Sequence, residues 1–406
     1  MTNVSSQTKL FRAEGDRESV TRPYVPILLI KQGERQALEK VDQSTRALFT
    51  PWIRVLPPEA AGENAERTRS RELGRLAKVS GSDAVYLDVA GTPRRGRARA
   101  RLGMPFVRQV YIEALSVDLP FVPVVPFDRP DLSETTAEFQ SAALGASVLI
   151  RSDTVVMTGN RKFEDLLRDQ VRQLAIEPAR LDVMIDLGYI PSGLAGWESA
   201  VWLVRKVVGA VPWRSVILAG TSVPESFAAE VPDDSVGAVE RREREVFQAV
   251  QRAVGVALRY GDYAVQNPYP PKSGFAKKAR ANIRYTSGSY LHVSRGGRAL
   301  GEISRNDWPT EFHRAAARLI REAPFAGSDC CWGDQVVQDL ATGARQARSH
   351  SGMRAAATCH HLSVVARELT PSKPQVARPT YARRVHATVT ESLSQVAPES
   401  ERAIRH

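Results

Sequence analysis

Two aspartates of this chain stand inside apolar runs, Asp88 in VYLDVA and Asp186 in VMIDLG. A carboxylate in such surroundings must be ion-paired, hydrogen-bonded or protonated. Beside a second titratable group it can act as a general acid or base, or as a ligand for a hard metal ion. The plainer alternative is a structural ion pair, with Lys31 or Arg151 as partner. Asp262 lies in a further strand pattern, ALRYGDYAV. Further on, NIRYT places Asn282, Arg284 and Tyr285 in a stretch without acids. A guanidinium there can clamp a phosphate or carboxylate through two parallel hydrogen bonds, with Asn282 orienting it. The alternative is a hydrogen-bonded loop that caps the fold.

His360 and His361 are adjacent. Read as part of a strand, they point to opposite faces and cannot share one metal ion. One could serve as a base; the competing reading is a histidine that ties the last segment to the core. Cys330 and Cys331 adjoin each other and Cys359 stands alone, so there is no CxxC motif. No metal site and no nucleophilic cysteine are expected. Asp334, in WGD at the start of a helical pattern, reads first as a helix N-cap and second as a ligand contact.

Basic residues form two clusters. The first is Arg94, Arg95, Arg97, Arg99 and Arg101, in a loop without acids or aromatics. The second spans Tyr263 to Gly301, where no acid occurs; it includes Lys277 and Lys278, and aromatics are interleaved with it. Either could track a phosphate backbone, and either could be a solvated loop.

The elements that must position these residues alternate. Strand patterns fall at Tyr24–Ile30, Phe49–Leu56, Ala84–Ala90, Phe121–Phe127, Ala146–Arg151, Leu181–Ile190, Arg214–Val223 and Ala257–Val265. Helical patterns separate them, the last over Val239–Val254. Short apolar runs in strict β–α alternation imply parallel strands with right-handed crossovers. Eight units over about 240 residues match a (β/α)₈ barrel of the TIM type. No GxGxxG follows the first strand, which removes the best-known nucleotide-binding open sheet.

In a barrel, the polar residues at the strand C-termini gather at one mouth: Lys31, Asp88, Asp128, Arg151, Asp186, Thr221, Ser222 and Asp262. No helix follows the eighth strand directly. A hairpin pattern around residues 282–297, helices and one more strand at His361–Leu369 are expected as a C-terminal extension. The domain reading is a loose arm over 1–22, a barrel over 23–369 with an elaborated eighth unit (266–369), and a disordered basic tail over 370–406.

The chain has 406 residues, 43% hydrophobic and 25% charged, which excludes wholesale disorder and fibrous folds. No apolar run is long enough to cross a bilayer, and the first residues show no signal-peptide pattern. A cytoplasmic protein with reduced thiols is expected. The formal net charge of +11 permits nucleic acid as a partner without establishing it.

YVPILLIKQGE, IDLGYI, NIRYT, CxWGD at 330–334 and the double histidine, in this order, resemble the beta protein family. The resemblance covers roughly residues 23–370. It implies a barrel-like core and a setting in phage–host conflict, since the family is named after a satellite-phage protein encoded beside a killing protein that it restrains. It implies no known reaction and no cofactor. Three positions depart from the family pattern: Leu29 stands in place of a lysine, Arg54 of an acid and Cys359 of an asparagine.

Three functions follow as expectations. The first is a sensing or neutralising, antitoxin-like component with a protein partner encoded nearby. The second is an enzyme acting on a phosphorylated or nucleic-acid substrate, with Asp186, Asp262, Arg284 and His360 or His361 converging at the mouth. The third is a nucleic-acid binder using clusters 94–101 and 272–298.

Overall fold

The computed structural model describes residues 22–56, 63–89, 104–139, 144–155, 162–192, 197–269, 279–347 and 349–370. The first basic cluster (94–101), Lys277 and Lys278, the arm before residue 22 and the tail after 370 lie outside them. The strands are β1 (Tyr24–Leu29), β2 (Trp52–Arg54), β3 (Val85–Asp88), β4 (Phe121–Pro126), β5 (Ala146–Arg151), β6 (Leu181–Tyr189), β7 (Ser215–Thr221), β8 (Val236–Glu240), β9 (Arg259–Asp262), β10 (Arg280–Ser287) and β11 (Tyr290–Ala299). Strands β1 to β7 and β9 close into a parallel barrel in sequence order. The fold is the expected (β/α)₈ barrel.

Its helices are α1 (Gln32–Lys40), α2 (Gln43–Arg46), α3 (Glu63–Ser80), α4 (Met104–Ser116), α5 (Leu132–Glu138), α6 (Ser152–Val155), α7 (Phe163–Leu174), α8 (Trp197–Ala210), α9 (Arg242–Val254), α10 (Trp308–Glu322), α11 (Trp332–Ala341) and α12 (His350–Leu369).

Strand periodicity assigns every barrel side chain to one of two cores. Val25, Ile27, Trp52, Tyr86, Val124, Leu149, Met184 and Ile217 fill the lumen. Their neighbours in sequence, such as Ile53, Leu87, Val148 and Ile185, pack outward beneath the helices. Two residues beyond Trp52, Tyr86, Leu149 and Met184 come Arg54, Asp88, Arg151 and Asp186. The same alternation therefore turns these four charged side chains inward at the strand C-termini.

The segment expected as an extra strand, His361–Leu369, is instead the second half of α12. Twelve of the twenty residues of this helix are buried, including an unbroken run from Ala355 to Ser363. It packs against α1 and β1 on one side and β10 on the other. A helix covered all round carries no 3.6-residue polar stripe, so its sequence loses the usual helical signal. Placed here, α12 is the eighth barrel helix, postponed by an insertion of some 80 residues after β9. The insertion consists of the hairpin β10–β11 with α10 and α11, around a core of Ile283, Tyr285, Phe312, Leu319 and Val336.

The pattern Val239–Val254, expected to be wholly helical, begins as strand β8. It pairs antiparallel with β11, Leu291 opposite Val239, to make a three-stranded sheet. That partner lies some 50 residues away in sequence, so local pattern could not reveal it.

Gly333 explains the glycine of CxWGD. A Cβ there would stand 2.3 Å from the Ala356 carbonyl oxygen and 3.0 Å from His360. The start of α11 thus crosses α12 backbone to backbone. Gly333→Ala is expected to force the helices apart and to lower stability by roughly 1–3 kcal/mol, read as a shift in the chemical-denaturation midpoint.

Candidate functional site

The barrel mouth is organised around Arg54, which is 2% exposed. Its Nε donates to Asp88 Oδ2 at 2.9 Å, its Nη2 to Asp186 Oδ2 at 3.1 Å and its Nη1 to the Tyr263 hydroxyl at 2.9 Å. Tyr263 in turn donates to Asp186 Oδ2 at 2.5 Å. Asp186 Oδ1 accepts from the Gly188 amide, and the Trp52 indole reaches Asp88. Burial opposes the Arg54 charge, but Tyr263, Asp88 and Asp186 outweigh it and hold the guanidinium above its ordinary value. Burial, with Asp186, drives the Tyr263 phenol well up against the pull of Arg54, so it keeps its proton and donates.

Above this floor lies a cleft of about 150 Å³, lined by Arg54, Arg151, Asp153, Asp186, Tyr189, Tyr263 and Tyr269 among others. Two arginines face two aspartates there, and tyrosines supply flat walls. Such a cleft suits a small polar group of little net charge. Arg151 also approaches Asp128, at 3.9 Å. The expected ion pairing of Asp186 is present, with Arg54 in the partner's place. Lys31 is exposed and stands at the N-cap of α1.

The other expected members are elsewhere. Asp262 lies next to Tyr263 on the chain, and strand alternation turns it outward, towards α12. It accepts from the Tyr24 hydroxyl (2.7 Å), the Ala264 amide (2.9 Å) and His361 Nε2 (2.9 Å). His361 Nδ1 meets the Thr286 hydroxyl at 2.7 Å. Thr286 also offers its carbonyl to His360 Nε2 at 2.7 Å. His360 Nδ1 faces Asp334 Oδ2 at 2.9 Å, and Tyr285 donates to Asp334 Oδ1 at 2.7 Å while its ring stacks on the His360 imidazole. Burial lowers the His360 pKa, but Asp334 and Cys331 outweigh it and bring it up to about 9. Asp334 is the third residue of α11; the N-cap is Cys331. Cys359 beside it, burial and Asp334 all raise the Cys331 thiol.

The two histidines therefore do separate things from adjacent positions of one helix, about 100° apart rather than on opposite faces. His361 ties α12 to the barrel, and His360 ties it to α11. Asn282 accepts from Arg284 Nε at 3.2 Å. Arg284 also donates to the Val265 carbonyl and lies over the Phe227 ring. With Asn282, His350 and Arg354 it lines a separate cavity of about 40 Å³. Asp186, Asp262, Arg284 and a histidine do not converge in one pocket: only Asp186 lies in the mouth.

Three of the four described arginines of the acid-free stretch pair with acids outside it. Arg280 and Arg295 both pair with Asp233, at 2.7 and 2.8 Å, and Arg298 pairs with Glu311 at 2.8 Å.

Burial pushes the His361 imidazole below its ordinary 6.5, against Asp262. Burial raises the Asp262 carboxyl, but His361, Arg241 and Tyr24 hold it below its usual 3.8. Both folded-state values are depressed, so the unfolded chain takes up each proton first. The contribution of this pair to stability is full above pH 6.5, erodes as the pH falls and His361 of the unfolded chain takes up its proton first, and drops again below about pH 3.8. His361→Gln is expected to shrink the upper step and, by removing the group that most lowers Asp262, the lower one as well, seen in denaturation midpoints measured between about pH 7 and pH 3.

The sequence model of the beta protein family matches residues 24–367. The chain belongs to the beta protein family. Its matched region takes in the barrel, the insertion and nearly all of α12. No curated protein matches the chain. Among solved structures, PhdJ bound to a substrate intermediate is 9% identical with a TM-score of 0.29, over 59% of each chain. A D-psicose 3-epimerase with D-tagatose from Clostridium cellulolyticum H10 is 12% identical with a TM-score of 0.27, over 44% of this chain and 66% of that one. An N-acetyl-beta-hexosaminidase of Streptomyces plicatus is 12% identical with a TM-score of 0.21, over 52% and 48%. The chain spans about half to two thirds of the length of these structures, and likeness at this level bears on neither activity nor substrate.

Within this beta-family chain, NIRYT, CxWGD and the double histidine meet in one buried network, through Thr286, Asp334, His360 and His361. The mouth is distinct from that network. Arg54, noted in the sequence only as a departure from the family pattern, is its central residue. Tyr263 was not expected there at all. Counting in twos along β9 from the lumen-facing Gly261 would have pointed to it.

Proposed function

We propose that this protein is a sensing or neutralising component in phage–host conflict, and that its barrel mouth recognises a polar group of a partner rather than transforming it. Family membership supports the setting. The observation that carries the recognition reading is the fixing of the floor by its own hydrogen bonds. All three Arg54 nitrogens and both Asp186 oxygens are engaged within the protein. Asp186 Oδ2 takes two of these bonds, and Oδ1, with one, keeps a lone pair that can meet a donor of the partner. A floor already locked by its own hydrogen bonds serves recognition, because little ordering remains to be done on binding.

Affinity purification of the tagged chain from its native host, with and without nuclease and before and after phage challenge, tests this. The expected result is a stoichiometric protein partner that survives nuclease and is lost with Tyr189→Ala at the cleft wall. Recovery of nucleic acid alone, or of nothing, would count against it.

One observation favours an enzyme as second reading: the 2.5 Å contact between Tyr263 and Asp186 beneath the cleft. A proton-sharing pair there would act on a phosphorylated or nucleic-acid substrate, and Tyr263→Phe and Asp186→Asn would each abolish turnover while leaving binding intact. The nucleic-acid binder predicts affinity that falls steeply with added salt.

A further inference from the structure

Three donors of different chemistry meet where α11 crosses α12. Cys331 Sγ, a carboxylate oxygen of Asp334 and a ring nitrogen of His360 all lie within 4.8 Å of one another. Cys331 and Asp334 come from the first turn of α11 and its N-cap, and His360 from the middle of α12. Asp334 and His360 are buried, and Cys331 is half-buried. Rigid elements hold all three, with the close contact at Gly333 fixing the crossing.

The surroundings orient each donor as a ligand. The Thr286 carbonyl can only accept, so His360 carries its proton on Nε2, and Nδ1 is the nitrogen turned towards Asp334. A backbone carbonyl on the far ring nitrogen is the usual support of a metal-bound histidine. The Tyr285 hydroxyl occupies Asp334 Oδ1 and leaves Oδ2 for the cluster. Oδ2 then stands 2.9 Å from both Cys331 Sγ and His360 Nδ1. A proton on Nδ1 bridges the latter gap in the metal-free chain, and a metal ion bound there would take its place.

We propose that Cys331, Asp334 and His360 bind one borderline-soft divalent metal ion, Zn²⁺ being the best match to a sulfur, nitrogen and oxygen donor set. The ion replaces the thiol proton of Cys331 and the positive charge between His360 and Asp334. Three protein donors leave a fourth position for water or a small ligand. Bond lengths of ~2.0–2.3 Å imply donor spacings of about 3.3–3.8 Å, so the 2.9 Å spacings must open by about 0.4–0.9 Å. Cys331, half-buried at the entry to α11, has the room to move. This inference is independent of the barrel mouth. It also differs from the sequence expectation of no metal site. Only His360 takes part, and His361 is committed to Asp262.

The test uses the full chain, reduced, stripped with a chelator and titrated with Zn²⁺ by calorimetry and with Co²⁺ by absorption. One ion per chain is expected, with a thiolate-to-cobalt charge-transfer band in the near ultraviolet. Cys331→Ser should abolish the band and weaken Zn²⁺ binding by more than the roughly 10–100-fold that loss of a supporting hydrogen bond costs. Cys330→Ser, the neighbouring thiol, should leave both unchanged. If His360→Gln fails to fold, the serine variants still decide the matter. Absence of stoichiometric binding, or a band that survives Cys331→Ser, would overturn the proposal and leave His360 and Asp334 as an ordinary ion pair.

Discussion

Replacing Arg54 by methionine is expected to destabilise the protein by about 3–5 kcal/mol. The substitution nearly preserves volume, so the loss is electrostatic. Asp88 and Asp186 are 1% and 4% exposed, and Arg54 is the cation bonded to both. Without it two carboxylates face each other at low dielectric and must take up protons or admit water. Arg54→Lys should recover only part of the loss, because a single ammonium cannot reach Asp88, Asp186 and Tyr263 in three fixed directions. Arg54→Met combined with Asp88→Leu and Asp186→Leu should recover much more, since an apolar replacement of a whole buried ion cluster is often neutral. Chemical denaturation of the three variants measures this. A destabilisation under ~1 kcal/mol for Arg54→Met would place the cluster in contact with solvent and remove its role as the rigid floor of the mouth.

The second large effect is expected from α12. A chain that stops at Ser349 should yield no soluble folded protein, judged by expression and circular dichroism. Leu362 and Val365 belong to the barrel core and Met353 and Ala356 to the insertion core, so one helix closes both. Burial of the Leu362 and Val365 side chains is worth roughly 1.5–3 kcal/mol each. Removal of α12 also strips His361 from Asp262 and His360 from Asp334. The sum approaches the whole stability of an ordinary domain, roughly 5–15 kcal/mol. Were the segment an edge strand, the loss would be modest. Leu362→Pro is a point test of the same idea: it should be nearly as harmful, because proline breaks a buried helix, whereas an edge strand tolerates it.

The barrel itself was legible because it is written in local terms. Each strand run and each helical stretch has its own periodicity, and strict alternation leaves few topologies. The inward direction of Asp88 and Asp186 was legible for the same reason, since a period of two needs no knowledge of the neighbours. The hairpin at β10 and β11 was visible in its alternation, and the short helix of CxWGD in its pattern, although its N-cap is Cys331, three residues before the Asp334 read as its start.

Other features belong to the tertiary structure. Arg54, on a three-residue strand, becomes the partner of Asp88 and Asp186 only when the barrel closes and brings β2 and β6 to the same rim. Asp262 and Tyr263 adjoin in sequence, yet one serves the helix layer and the other the mouth. That division follows from which face of β9 the lumen claims. The strand β8 exists because β11 pairs with it, and α12 lost its helical signature because protein covers it on every side. The sequence determined the barrel, its order and its polar rim, because hydrophobic period and chain connectivity are local properties. Which charges pair, which histidine faces which carboxylate, and where Cys331 finds Asp334 and His360 depend on contacts between residues far apart in the chain, and only packing decides those.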